Sequence, residues 1–323
     1  MSKVLVTGAN GFLAYNIIIE LLTRGYTVRG MLRKTARMMI NHPNLELFYG
    51  KITREEDVVN ATEGCQIVIH NAAVTDPAIS DHHVYVKINV GGTKNIIKAS
   101  IEKNVKKVIY ISSANSFGYG SKKFPGHEGS PMQFPFTSSG YARSKAAAQE
   151  MILNSFKGTA VEIVVINPTF MIGPNDFKES SNRIILRALG KRILLIPPGG
   201  KNFVHVTDVA TAIGNSIKLG KNGECYIVAN ENLSYRELYN KMAGVTKSKI
   251  FLLTVPIPLL LLAGLAGNIM RYIGLNTAIN LTNMQILCIG SYYSADKAIK
   301  TIEIQQTPIV KAIEETISWF KRI

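Results

Sequence analysis

The chain has 323 residues, 46% of them hydrophobic, with a formal net charge of +15. That is enough for one large or two intimately joined domains around a substantial core, and it implies a chain that folds on its own. Cys65, Cys225 and Cys288 are odd in number, far apart and without a CxxC pair, which excludes a disulfide framework and fits reduced thiols in the cytoplasm. The basic residues fall in small scattered groups such as Lys106-Lys107 and Lys191-Arg192, with no interleaved aromatics, so no nucleic-acid partner is expected. Solvated surface charge and a bias toward an anionic membrane surface both stay open.

The first strand follows Met1 and Ser2 directly, so no signal peptide is expected. Val4 to Val6 read as a buried parallel strand closed by Thr7. Gly8 permits a tight turn, Gly11 lets backbone N–H groups approach a pyrophosphate, and Ala14 allows close helix–strand packing. The helix from Phe12 to about Arg24 aims its positive end at that anion, and Gly25 ends it. This GxxGxxA turn between strand and helix is a dinucleotide fingerprint.

Further strands are expected at Tyr26 to Met31, Leu45 to Tyr49, Gln66 to Asn71, Lys107 to Ser112 and Val161 to Asn167. Thr53 and Glu56 have capping-box spacing at the start of a helix, and a long helix is expected from about Asp81 to Lys103. Strands alternating with helices predict an α/β fold with a doubly wound parallel sheet. Past Pro168 the pattern loosens. A short strand at Phe203 to Val206 and a helix from Asp208 to Leu219 are expected to rejoin the sheet, and Ser234 with Glu237 forms a second capping box. The resulting division is a Rossmann domain from 1–167 and 202–222, and a smaller, mostly helical substrate domain from 168–201 and 223–323.

Ile250 to Met270 carries no charge over a length that could cross a hydrocarbon core. Pro256 and Pro258 interrupt it, and three readings remain: a wall of the substrate domain, an interfacial membrane contact, or a span.

Tyr141 and Lys145 stand four apart, hence on the same helix face. A nearby ammonium stabilises a phenolate and draws a phenol toward working pH, and the same lysine can hold a ribose.

With these residues in view, the chain resembles the extended short-chain dehydrogenases/reductases. The resemblance runs through TGANGFLA at the start, HNAA from His70, NVGGT from Asn89, YISSANSFG from Tyr110, YARSK from Tyr141, NPTFMIGPND from Asn167 and FVHVTDVA from Phe203. Within that superfamily it is most similar to the dihydroflavonol-reductase and 3β-hydroxysteroid-dehydrogenase branch. The resemblance implies a Rossmann fold and a catalytic trio: Tyr141 as acid/base, Lys145 as its partner, and Ser113 polarising the substrate carbonyl, with Ser112 as the alternative hydroxyl. It implies cofactor contacts from Gly8, Asn10, Gly11, Phe12, Leu13, Ile52, Ala72, Ala73, Asn89, Pro168, Thr169 and Phe170, besides Tyr141 and Lys145. Where the family commonly has an acid near the adenine, this chain has Lys51. Family members are often dimers, so a homodimer is expected, and no metal is.

The second strand ends in VRGMLRKTAR, with Arg33, Lys34 and Arg37 and no carboxylate for a ribose 2′-hydroxyl. A basic pair suits a 2′-phosphate, so NADP(H) is expected over NAD(H), with Arg33 as the main contact. Substrate contacts are expected from Thr75, Ser113, Phe170, Met171 and His205, with a structural role for His205 as the competing reading. Phe170 and Met171 stand where sugar-nucleotide enzymes typically carry polar residues. The expected activity is therefore an NADP(H)-dependent ketoreductase acting on a hydrophobic carbonyl compound: a long-chain 3-oxo lipid such as 3-ketosphinganine, a steroid-like or a dihydroflavonol-like molecule. An NAD-dependent nucleotide-sugar epimerase or dehydratase is the alternative, and a non-catalytic redox sensor the second.

Overall fold

The computed structural model describes residues 2–36, 38–275 and 277–322. Its first half runs β1 (Lys3–Thr7), α1 (Phe12–Thr23), β2 (Thr27–Leu32), β3 (Leu45–Tyr49), α2 (Glu55–Thr62), β4 (Ile67–His70), α3 (His82–Tyr85), a π-turn (Val86–Val90), α4 (Gly91–Glu102), β5 (Lys107–Ile111), α5 (Gly140–Ser155) and β6 (Glu162–Pro168). The second half runs β7 (Phe170–Ile172), α6 (Arg183–Leu186), β8 (Ile193–Ile196), β9 (Gly200–His205), α7 (Val206–Leu219), β10 (Glu224–Val228), β11 (Glu231–Ser234), α8 (Tyr235–Thr246), β12 (Phe251–Thr254), α9 (Ile257–Tyr272), α10 (Leu281–Cys288), β13 (Gly290–Ser291), α11 (Asp296–Ile302) and α12 (Ile309–Phe320).

The central sheet has seven strands in the order β10-β6-β5-β4-β1-β2-β3, every neighbouring pair parallel. Strands β4 and β5 are buried along their whole length, as their unbroken apolar runs require when helices cover both faces. The order reverses direction between β1 and β4, so a crevice opens above the carboxyl ends of those strands. One core cluster gathers α1 and α7 against the sheet, a second gathers α2, α4 and α5, and a third sits under α8 and α12.

Several boundaries differ from expectation, each for a local reason. The strand at 224–228 pairs in parallel with β6 and so belongs to the central sheet, beyond the expected limit at 222. Conversely β9 leaves that sheet for a second one with β7, β11 and β13, while α7 alone returns to pack on α1. The carboxy-terminal part is mostly helical, as expected, and adds two small sheets. Thr53 does not cap α2: the cap position is Arg54, with no side-chain bond, and Glu55, Glu56 and Asp57 instead face the helix dipole. The box at Ser234 and Glu237 is complete, both reciprocal bonds being present.

The uncharged stretch from Ile250 divides into β12, which pairs with β8, and α9, with Pro256 and Pro258 at the joint. Among the described residues no helix is long and apolar enough to cross a membrane.

Candidate active site

The site is assembled where the β1 turn, the ends of β4, β5 and β6, and the first turn of α5 meet. Gly8 adopts φ +69°, and a Cβ placed there would lie 2.9 Å from Ala72 Cα; a Cβ on Gly11 would lie 3.1 Å from the Gly8 carbonyl. Only glycine lets these backbones meet without strain. The Gly11 N-cap has no side-chain bond and the first turn of α1 holds no acid, so its N–H groups stay open to an anion. These features fit a dinucleotide pyrophosphate. Phe12 is half-buried beside the turn, Asn10 lies on it, and Leu13 is buried in the core, so Leu13 offers only its backbone.

A buried hydrogen-bond chain ties the turn to the sheet. Thr7 Oγ1 accepts the N–H groups of Asn71 (3.1 Å) and Ala72 (3.0 Å) and therefore donates to His70 Nδ1 at 2.9 Å. His70 Nε2 then donates to Thr93 Oγ1 at 3.1 Å, and Thr93 donates to the Asn89 carbonyl at 2.6 Å. Burial, reinforced by the Lys145 charge, pulls His70 down to about 3, so the ring stays neutral and this tautomer is kept. Sequence reasoning assigned Thr7, His70 and Thr93 no such role. The one signal was a histidine closing the apolar run QIVIHN.

Asn89 lies in the π-turn, a local unwinding that aims its side chain off the helix line. Its amide accepts from the Val74 N–H (2.8 Å) and donates to the Val74 carbonyl (3.1 Å) and Ser144 Oγ (2.9 Å). All of that polarity is spent inside the protein. Asn89 thus holds Val74, next to Thr75, against Ser144 of α5 and braces the site from within.

Ser113 follows β5, and Ser139 caps α5 by accepting from the Ala142 N–H. Ser113 stands beside the Tyr141 phenol, its Oγ accepting from the Asn115 N–H at 3.2 Å; burial pushes that phenol up and the neighbouring Ser113 hydroxyl opposes it. Ser112, by contrast, is buried against Ser116 at 3.2 Å, which removes it as the alternative hydroxyl. Lys145 is buried one helical turn below Tyr141, donates to the Ile111 carbonyl and lies 4.6 Å from the centre of the Tyr110 ring. Burial draws its ammonium down to about 7. Burial is the leading influence on the Tyr141 phenol, and the Lys145 ammonium beneath it is held by the strand-end carbonyl of Ile111.

Beside Tyr141 lies a cavity of about 260 Å³ whose walls include Thr75, His82, Asn115, Arg143 and Arg271. His82 Nδ1 is buried there without a partner among the described residues. The wall next to the phenol is thus polar and cationic, and neither arginine was anticipated. Phe170 and Met171 do not line it. Phe170 meets Phe203 edge to face at 5.5 Å, and Met171 packs into the main core.

His205 is buried as the N-cap of α7, accepting from the Thr207 N–H and meeting Glu315 at 3.1 Å. Its ring is used by the fold, in keeping with the structural reading, and it does not line the cavity beside Tyr141. Pro168 and Thr169 lie at the β6 exit, Thr169 donating to Asn202 at 2.6 Å. Ile52 packs where a Cβ on Gly92 would touch it at 2.9 Å, and Ala73 follows Ala72 over the glycine turn.

Arg33 and Lys34 are exposed past the end of β2; Arg37 lies outside the described residues. A further cation joins them. The loop after Gly173 is pinned to α1 by Asn16 bonds to Pro174 (3.3 Å) and Asn175 (3.0 Å) and by Tyr15 against Phe177 at 5.0 Å. This brings Lys178 toward Arg33: burial first, and then that guanidinium, lower its ammonium, with Asp176 opposing. Asp176 itself is committed to Ser180 and Asn182 within its loop.

Residues 4–229 match the NAD dependent epimerase/dehydratase family. Over 98% of its length the chain is 27% identical to a putative dihydroflavonol 4-reductase of Synechocystis, covering 94% of that protein. It is 25% identical to sterol demethylase protein B of Methylococcus capsulatus over 98% of both chains. The crystal structure of gox2253 superposes with a TM-score of 0.86 at 27% identity, covering 100% of this chain and 98% of that one. The glycine turn, the seven-stranded parallel sheet and the Ser113, Tyr141 and Lys145 grouping agree with that match, and the chain belongs to the NAD dependent epimerase/dehydratase family as an NAD(P)-dependent oxidoreductase of the extended short-chain type.

Proposed function

We propose that this protein is an NADP(H)-dependent ketoreductase that reduces a hydrophobic carbonyl compound to a secondary alcohol. The observation that carries the reading is the convergence of Ser113, Tyr141 and Lys145 next to a cavity. When bound, a reduced nicotinamide supplies the hydride. Ser113 Oγ orients and polarises the carbonyl oxygen, and the Tyr141 phenol delivers the proton that the new alkoxide needs. Lys145, charged below about 7, stabilises the phenolate left behind and offers donors to a ribose.

NADP(H) is favoured by Arg33 and Lys34, exposed past the end of β2 where the sequence VRGMLRKTAR holds no carboxylate, and by the charge of Arg33 reaching Lys178. The hydrophobic substrate class is supported by the sterol and dihydroflavonol names of the full-length relatives. The polar cavity with Arg143 and Arg271 favours a second reading, an NAD-dependent nucleotide-sugar epimerase or dehydratase, because an anionic nucleotide would suit those guanidinium groups.

Absorbance of NADPH and NADH, followed with steroids, long-chain 3-oxo lipids and UDP-sugars, separates the two. Net NADPH oxidation with a lipophilic ketone is expected; UDP-sugar conversion without net cofactor consumption would establish the second reading. Tyr141→Phe should lower kcat by about 10²- to 10⁴-fold while NADPH still binds. Arg33→Ala with Lys178→Ala should raise the KM for NADPH by roughly tenfold or more and leave NADH nearly unchanged. Equal effects on both cofactors would remove the basis for NADP(H).

A further inference from the structure

Helix α9 is turned inside out. Leu259, Leu262, Leu265 and Ile269, continued by Ile273, fall on one stripe at about 100° per residue, and all are between 48% and 67% exposed. The opposite face is glycine. A Cβ on Gly267 would lie 1.7 Å from the Ile279 carbonyl oxygen and one on Gly264 would lie 2.8 Å from Leu281 Cα. At these two positions the segment after α9 packs so closely that no larger side chain fits, Leu260 one turn earlier on the same face is half-buried, and the apolar stripe is held outward.

The β8–β12 pair, joined to α9 through Val255 and Pro256, behaves the same way. Leu252 and Ile196 point inward and are buried, whereas Ile193, Leu195, Phe251 and Leu253 are each more than 40% exposed. Single exposed apolar residues are ordinary, but two consecutive elements that both present them mark an interaction face.

Charge selects the occupant. Between Glu237 and Asp296 the sequence holds no acid, nor does it between Glu179 and Asp208, while both stretches carry lysine and arginine. Phe251 donates its N–H to the Arg192 carbonyl, so the starts of β8 and β12 coincide and bring Lys191, Arg192, Lys247 and Lys249 to one end. All four are exposed, and none forms an ion pair among the described residues. A second copy would set this basic end against another like it; an anionic lipid surface complements it. At 16 residues α9 spans about 24 Å, short of a hydrocarbon core, so it lies in the interface plane.

We propose that α9 with the β8–β12 pair is a docking face for an anionic lipid bilayer. Arg271, on the same helix, lines the cavity beside Tyr141, so docking holds that cavity near the membrane. The test is co-sedimentation of the full chain with phosphatidylcholine vesicles, with and without phosphatidylglycerol. Binding to the mixed vesicles is expected, several-fold weaker without the anionic lipid and weakened by added salt. Leu262→Glu with Ile269→Glu should reduce it by roughly tenfold or more. Lys191→Glu with Lys249→Glu, which leaves the apolar stripe untouched, should abolish the preference for phosphatidylglycerol. The proposal fails if the wild-type chain binds neither vesicle, if both variants bind as it does, or if the leucine variant dissociates a dimer in sedimentation velocity while vesicle binding is kept. Vesicle binding is read without turnover, so its failure leaves the ketoreductase reading standing.

Discussion

Helices α1 and α9 are written in nearly the same alphabet, Leu, Ile, Ala and few charges, yet the fold treats them oppositely. α1 buries seven of its twelve residues, among them Ile17, Ile18 and Leu21, whereas α9 buries two of sixteen, both glycines. The difference lies in what each packs against. α1 sits between a parallel sheet and α7, so every apolar residue on a broad arc finds cover. α9 is gripped along a narrow strip by 279–281, where backbone meets backbone at Gly264 and Gly267, and most of its larger side chains turn out. Hydrophobic content therefore states how much a helix could bury; the neighbour decides how much it does.

The largest expected effect tests that contrast directly. Leu21→Ala removes a fully buried side chain from the main core and should cost about 2–5 kcal/mol, read from the denaturant midpoint. Leu262→Ala, on the exposed stripe of α9, should stay within about 0.5 kcal/mol. Equal losses would mean that α9 is covered in solution and would break the comparison. Within α9 the order of sensitivity should invert. Gly267→Ala adds a single methyl where no room exists and should cost about 1–3 kcal/mol, more than truncating any leucine of the stripe.

A matched pair of glycines sharpens the point at the site. Gly8 and Gly274 both hold positive φ, but a Cβ on Gly8 meets Ala72 while one on Gly274 meets nothing within 4 Å. Gly274→Ala should therefore cost only the left-handed backbone penalty, about 1–2 kcal/mol. Gly8→Ala should add crowding to that penalty and also weaken NADPH binding in a fluorescence titration.

The parts of this protein that could be read from sequence are those in which function and local geometry coincide. The GxxGxxA turn, the Tyr141 and Lys145 spacing and the apolar strand runs each restrict the backbone within a few residues, so their signal survives without the fold. Lys178 could not be read that way. It matters only because Asn16 and Tyr15 hold its loop against α1, and the nearer of those contacts spans more than 150 positions. Arg143 and Arg271 likewise become walls of one cavity only once α9 is placed. His205 was an open choice until Glu315, from the last helix, arrived beside it. The composition of Ile250 to Met270 leaves a substrate-domain wall, an interfacial contact and a span open, and the prolines mark the division, but nothing in the sequence says which face turns outward.

The smallest effect per measured step concerns Lys145, whose burial sets it apart from the exposed lysines near β8 and β12. Its ammonium titrates at about 7 in the folded protein, against an ordinary lysine near 10.4 in the unfolded chain. Between those values the unfolded state binds the extra proton, so stability rises with pH through that window and is flat with respect to this group below about 7. Lys201, drawn by burial to about 8, adds a contribution of the same sign that begins later. The slope from pH 7 to 8, at most on the order of 1 kcal/mol per pH unit, thus belongs mainly to Lys145. Lys145→Met should flatten that segment in urea titrations while leaving the rise above about 8, with Lys249→Met as the exposed control. If the slope below pH 8 persists in Lys145→Met, the ammonium is not desolvated as its place against the Ile111 carbonyl and the Tyr110 ring requires, and the charge that stabilises the Tyr141 phenolate would have to be sought elsewhere.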